Sequence, residues 1–304
     1  MKKEYSGRLL WLALASFLMP VAVAVWAFRS LPQPYTYPEI KPDASGVDQQ
    51  LWNYLLQTYV ADGLIDYDGL KRNHLFKTYL TQVASAQPEK LPDDQHRLAF
   101  LCNAYNAFVI NGVLVHKIDS SVLDYKNPQD KGFFDVPEHI LAGKTVDLNT
   151  LEHKMIRAVY QEPRVHMALV CAAKSCPTIR PEAFVGERLD AQLEDQTRAF
   201  ANNQAYVRYE TNGDDATGND TKEEKLYLSP ILKWYAEDFG GPRGVLDFLL
   251  SRVKSPKTSA GLLAAREGKI KVVYNEYDWS LNTQGKAAAS KTNTSFGSGS
   301  IPNE

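Results

Sequence analysis

Arg164-Val-His-Met-Ala-Leu-Val-Cys-Ala-Ala-Lys-Ser-Cys-Pro-Thr-Ile-Arg-Pro181 is the stretch whose reading decides the fold. Val165 to Val170 is a short apolar run with a β-branched residue at each end, and Pro177 and Pro181 bar a helix beyond it. The pattern predicts a buried strand that runs into a polar turn. Cys171, Lys174, Ser175 and Cys176 lie on that turn, with Arg164 and Arg180 flanking it. Strand ends are where a rigid scaffold presents chemistry, so the turn is the first candidate site.

Working outward, the segment from about Asp94 to Lys117 reads as a helix without Asp, Glu, Lys or Arg between Arg97 and His116. A helix of that length with no charged face must be buried. Asn103, Asn106 and Asn111 lie on it and need partners there. Two roles are open to Asn103 and Asn106: satisfying a neighbouring loop's backbone, or lining a cleft and orienting a catalytic group. Asp147 is placed to cap a helix through Tyr160 whose buried stripe is Leu148, Leu151, Met155 and Val159. Glu152 and His153 fall at its middle, with Arg157 one turn beyond His153.

Further helices are expected around Leu51 to Tyr59 (capped by Asp43 or Ser45 and ended by Gly63), His74 to Val83, Glu187 to Asn202, Ser229 to Tyr235 and Pro242 to Leu250. Strands are expected at Lys144 to Val146, Tyr206 to Tyr209, Leu226 to Leu228 and Ile270 to Tyr274. The expected fold is α+β, a mostly antiparallel sheet, including the 165–170 run, packed on the buried central helix.

The ends set the compartment. Lys2, Lys3 and Arg8 precede an uncharged run from Leu9 to Phe28 closed by Arg29, which fits an N-terminal transmembrane signal anchor or a signal peptide. Cleavage after Ala22-Val23-Ala24 would leave Val25 first. Either way the domain lies outside the cytoplasm, attached to the cell membrane through the N-terminal segment or released as a periplasmic or secreted protein. The organisation read from the chain is a segment at 1–29, a Pro-rich tether at 30–45, one domain at 46–282 and a disordered tail at 283–304. A formal charge of −2 and no basic patch argue against a nucleic-acid partner, leaving a protein or small molecule.

Asn103-Ala-Tyr-Asn106, Leu151-Glu152-His153, Arg164-Val-His166, Cys171-Ala-Ala-Lys-Ser-Cys-Pro177, Trp234-Tyr-Ala-Glu-Asp238-Phe and Tyr277-Asp-Trp-Ser-Leu-Asn282 occur in that order. Taken together they resemble the family called domain of unknown function 547, from about Leu51 to Asn282. The resemblance implies a widespread domain, often exported by bacteria, with no settled reaction.

Three chemistries compete for the cysteines and histidines. A thiol hydrolase or acyltransferase would use Cys171 as nucleophile and His153 as base, with Glu152, Asn103 or Asn106 as orienter. Alternation along a strand would put His166 and Cys171 on opposite faces, and all six histidines precede Cys171, unlike the papain order. A zinc ion on two histidines and two cysteines is the second reading, zinc being the one cofactor considered. The third is a Cys171–Cys176 disulfide pinning a binding or assembly module, which an oxidising compartment favours. Lys174, Ser175, Cys176, Arg164 and His166 are expected around one cleft, although in the third reading the histidines are core residues satisfied by backbone. Tyr277 to Asn282 forms its wall, and Asp278 is paired with Arg157, Arg164 or Arg180.

Overall fold

The computed structural model describes residues 39–211 and 224–285, so the 9–28 run, most of the tether, the loop at 212–223 and the tail beyond 285 lie outside it. The described part is α+β. Its helices surround one long helix, Asp94–Val115, capped by the Asp93 carboxylate on the His96 N–H. Fifteen of its residues are buried on all sides, which is why it has no amphipathic stripe. It is the one described helix long and apolar enough to cross a membrane, and 83% of its apolar window is covered by protein.

Against it lie Gln49–Tyr59 and His74–Ala84, held together by Trp52 stacked on Tyr79 at 5.0 Å and on Phe76 at 6.1 Å. The first of these covers the expected Leu51 to Tyr59 but has a different cap. Asp48, not Asp43 or Ser45, caps it through Gln50 N and Leu51 N, while Asp43 closes a separate turn onto Ser45. The helix ends at Tyr59 before Gly63 is reached. Val60–Ala61 and Leu64–Ile65 form a small hairpin, with positive φ at both Asp62 and Gly63.

The three-stranded sheet keeps the expected hairpin, Val207–Thr211 antiparallel to Glu224–Leu228. Lys271–Tyr274 joins it in parallel, so the sheet is not wholly antiparallel. A parallel return needs a crossover, which Ile231–Trp234, Gly241–Leu250 and a further helix at Pro256–Arg266 supply. That last helix carries a start signal, Ser255 capping Thr258 N with Pro256 at its first turn. The sheet packs on this crossover, not on the central helix: Leu226, Leu228, Val245, Leu249 and Leu262 share one core with Phe200 and Met167.

The 165–170 run is not a strand. Pro163–Met167 is a 3-10 turn, started by Pro163 and capped by the Glu162 carboxylate on Arg164 N. A short apolar run reads equally as a buried strand or a buried helical turn, and here the proline at its first position decides.

Candidate functional site

The segment after that turn has no strand neighbour, and the central helix supplies one in the form of an amide. Asn106 Nδ2 donates to Ala168 O at 3.0 Å and Val170 N donates to Asn106 Oδ1 at 3.0 Å. Asn103 treats Phe184 in the same way, at 2.7 Å to its carbonyl and 3.0 Å from its N–H. Both asparagines are buried and bond loop backbone, and Asn103 Nδ2 also donates to Gln49 Oε1 at 2.9 Å. They hold the loops that bear the site.

Cys171 follows directly. Its Sγ lies 2.8 Å from Cys176 Sγ and 3.1 Å from the Tyr277 hydroxyl, while its own N–H donates to Cys176 Sγ at 2.8 Å. Both are thiols. Ala172, between them and buried, has φ +65°, a left-handed conformation that costs a non-glycine residue roughly 1–2 kcal/mol. The closing segment clamps this strained turn. Lys174 N donates to Ser280 O, Ser175 N to Asp278 O and Asn282 N to Ala172 O, and Asp278 N donates to Ser175 Oγ at 2.8 Å. Ser175 thus anchors the wall, and Lys174 is exposed beside it. Thr283 and Gln284 continue the contact onto Ile65, so ordered pairing runs past Asn282.

The environments of the two sulfurs differ. Burial pushes the Cys171 thiol up, but hydrogen bonds from Cys176, Tyr277 and the Ala173 N–H outweigh it and leave Cys171 below the ordinary thiol range. Cys176 is buried outright and sits well above that range, through burial and then the adjacent Cys171. Half-buried Trp234 and Trp279 pack around Tyr277, with ring centroids 4.9 and 4.7 Å from it.

Glu152 and His153 lie on a π-helix, Thr150–Arg157, inside the helix that Asp147 caps through Thr150 N. Its wider turn alters the buried stripe: Leu151 and Ile156, five residues apart, are fully buried, whereas Val159 is 64% exposed. The same turn drives Glu152 inward, where it accepts hydrogen bonds from Tyr105 and Tyr235, each at 2.8 Å. His153 Nδ1 meets Arg157 Nη1 at 2.7 Å, so no thiol occupies that nitrogen. Burial lowers the His153 pKa below the usual imidazole value.

His166 is buried with its Nε2 2.7 Å from Asp238 Oδ2 and its ring stacked on Tyr235 at 3.9 Å. Arg157 grips the same carboxylate at 2.8 and 3.0 Å. Although burial opposes it, the His166 and Arg157 bonds hold the Asp238 carboxyl far below the ordinary range. Among the described residues no three His, Cys, Asp or Glu side chains form a metal-holding group. Arg164 faces away from the thiols, to Glu162 and Asp190.

Asp278 needs no cation, because it is exposed and its Oδ1 accepts from Ser280 N at 2.9 Å. The arginines expected for it are taken: Arg157 by Asp238, Arg164 by Glu162, Arg180 by Glu182 and Asp195. The expected single cleft therefore resolves into a paired-thiol turn walled by aromatics and, joined to it through the neighbourhood of Glu152 and Cys171, a carboxylate–imidazole–guanidinium cluster. Asp238 and Tyr235 lie outside the expected site and Tyr277 was expected only as part of its wall, although each lies inside a motif that carried the family resemblance.

Fold and turn define an α+β domain built around two touching thiols. Residues 88–201 match the family described as protein of unknown function, DUF547. The match takes in the motifs from Asn103 through Pro177 and stops short of those at Trp234 and Tyr277. No curated protein matches the chain, and no solved structure does.

Proposed function

We propose that Cys171 and Cys176 form a thiol–disulfide exchange centre on a domain held outside the cytoplasm by the uncharged run at Leu9 to Phe28. The observation that carries this reading is the asymmetry of two touching thiols: Cys171 half-buried and lowered by three donors, Cys176 buried and raised. Exchange needs one accessible thiolate to attack and a second thiol in contact to resolve. The Cys171 thiolate attacks one sulfur of a substrate disulfide, forming a mixed disulfide and expelling the other half as thiolate, which takes a proton from water. Cys176 then loses its proton and attacks Cys171 Sγ, releasing the remaining thiolate and closing the Cys171–Cys176 disulfide. The substrate gains two electrons and the pair loses them. A dithiol reductant returns the pair, and oxidation of a substrate dithiol is the reverse course.

A hydrolase or acyltransferase would use the same lowered Cys171, and the two readings part at Cys176. Exchange requires it; acyl transfer does not. Wild-type protein given a small aromatic disulfide is expected to release both halves of it and to end with an internal disulfide. The Cys176→Ser variant should stop at an adduct on Cys171, read by intact mass. Iodoacetamide labelling of Cys171 should have its midpoint below the ~8.5 of a free cysteine. Turnover of an activated ester that survives Cys176→Ser, without any exchange, would overturn this reading in favour of acyl transfer. For the anchor, the full chain is expected in the membrane fraction, and a soluble protein beginning at Val25 would replace the anchor with a cleaved signal.

A further inference from the structure

The sheet has two outer strands, and they are guarded unequally. Val207–Thr211 carries Arg208 and Glu210, an ion pair of the kind that keeps natural edges from pairing. Lys271–Tyr274 has its one charge at the start, followed by Val272, Val273 and Tyr274. Among the described residues its one strand neighbour is Glu224–Leu228, so its other side is an open ladder. The register says which groups face out. Asn275 N donates to Leu228 O at 2.9 Å, and successive residues of a strand turn their N–H and C=O to opposite sides, so Lys271, Val273 and Asn275 serve the inner ladder. Val272 and Tyr274 therefore turn theirs outward. Their side chains pack on the core, which leaves half-buried Val273 on the opposite face.

This edge leads to the thiols. The same chain goes on to Tyr277, whose hydroxyl is 3.1 Å from Cys171 Sγ, and then pairs with the cysteine turn through Asp278, Ser280 and Asn282. Tyr277 stands three residues past Tyr274, a reach of at most about 11 Å. Donors and acceptors repeated at strand spacing match one chemistry, the main chain of an extended polypeptide added to a sheet edge. A second copy of this chain is a poorer occupant, because an edge of four residues buries far less than the ~1,200 Å² of a stable association. A short contact suits a substrate that must leave. We infer that Lys271–Tyr274 is a docking edge, to which an extended segment of a disulfide-bearing protein adds as a further strand with its disulfide carried past Tyr274 towards Cys171. Naming that segment a substrate rests on the exchange reading; the strand addition does not.

The test uses the full chain in detergent. Its probe is an end-blocked nonapeptide of alternating threonine and valine, with a central cysteine held as a mixed disulfide with an aromatic thiol. The same mixed disulfide of N-acetylcysteinamide is the counterpart that has no strand to add. Hydrogen–deuterium exchange across 271–276 should be fast in the free protein and slow about tenfold at saturation with the serine-for-cysteine form of the nonapeptide. The reduced pair should act on the nonapeptide with kcat/KM about tenfold or more above the counterpart. Val272→Pro removes one outward N–H and leaves the inner ladder whole. Val273→Lys puts a guarding charge on the face away from the core and carries the test should the proline variant not fold. In both, the nonapeptide should fall to within about twofold of the counterpart, which keeps its own rate. Slow exchange at 271–276 before any probe is added, equal kcat/KM for the two disulfides, or a dimer broken by Val272→Pro would overturn the docking edge. Slowed exchange with turnover of neither disulfide removes the exchange reading alone, and equal turnover of both without slowed exchange removes the edge alone.

Discussion

Asn106→Ala is expected to destabilise the domain by roughly 3–5 kcal/mol, because it strips two buried backbone groups of their partners at once. The amide of Asn106 serves Ala168 O and Val170 N, both in a segment without a sheet neighbour, and the side chain is only 4% exposed. Water cannot replace it without opening the contact between the central helix and the cysteine turn. Asn111→Ala, at a half-buried position on the same helix, should stay within about 0.5 kcal/mol. Urea unfolding of the two variants checks this, and a loss below about 1 kcal/mol for Asn106→Ala would mean that the loop holds itself. Because the loop delivers Cys171, labelling of that thiol in folded Asn106→Ala should also lose its low-pH midpoint.

Acid should weaken the fold through His139. This imidazole is buried, stacked on Phe108 at 4.8 Å, and its Nε2 has no hydrogen-bond partner among the described residues. Burial pushes its pKa down to about 4; Glu138 opposes the shift and His116 adds to it. Above the unfolded value of about 6.5 both states are neutral and nothing is lost. Between the two values the unfolded chain takes a proton that the folded one refuses, so stability falls as pH falls. Below the folded value the loss is complete, roughly 3 kcal/mol for this group. His153, also lowered by burial, acts in the same direction. His96 acts in the other: its pKa is raised first by the Asp93 hydrogen bond, so its contribution is present at low pH and disappears as pH rises through the folded value.

His139→Phe isolates the first effect. It keeps the stack on Phe108 and removes the titration. The stability difference between wild type and variant should change by about 3 kcal/mol between pH 7 and pH 4, measured by denaturant unfolding at each pH. A constant difference would show that His139 takes its proton in the folded state as readily as in the unfolded one.

Much of the architecture is legible along the chain because it depends on neighbours in sequence. The central helix is buried because no charge stands between Arg97 and His116, and a helix without a polar face has only the core to go to. Asp147 caps its helix because its carboxylate reaches the Thr150 N–H three residues on. The hairpin at 207–228 forms from two alternating runs about a polar loop. What misled was a local ambiguity of the same kind: the mostly apolar run from Val165 to Val170 carries no information on whether a strand neighbour exists, and none does among the described residues.

The site was decided by contacts that no local pattern encodes. Glu152 finds its hydroxyls on Tyr105 and Tyr235, 47 and 83 residues away, and His166 finds Asp238 at a separation of 72. Cys171 meets Tyr277 across 106 residues, and that bond helps set which of two neighbouring cysteines gives up its proton first. The sequence by itself determined that Asn103 and Asn106 would be buried, since their helix is otherwise apolar. Only the tertiary structure decided which polar groups touch, because a hydrogen bond is fixed to tenths of an ångström while the chain that joins its partners can be laid down in many ways.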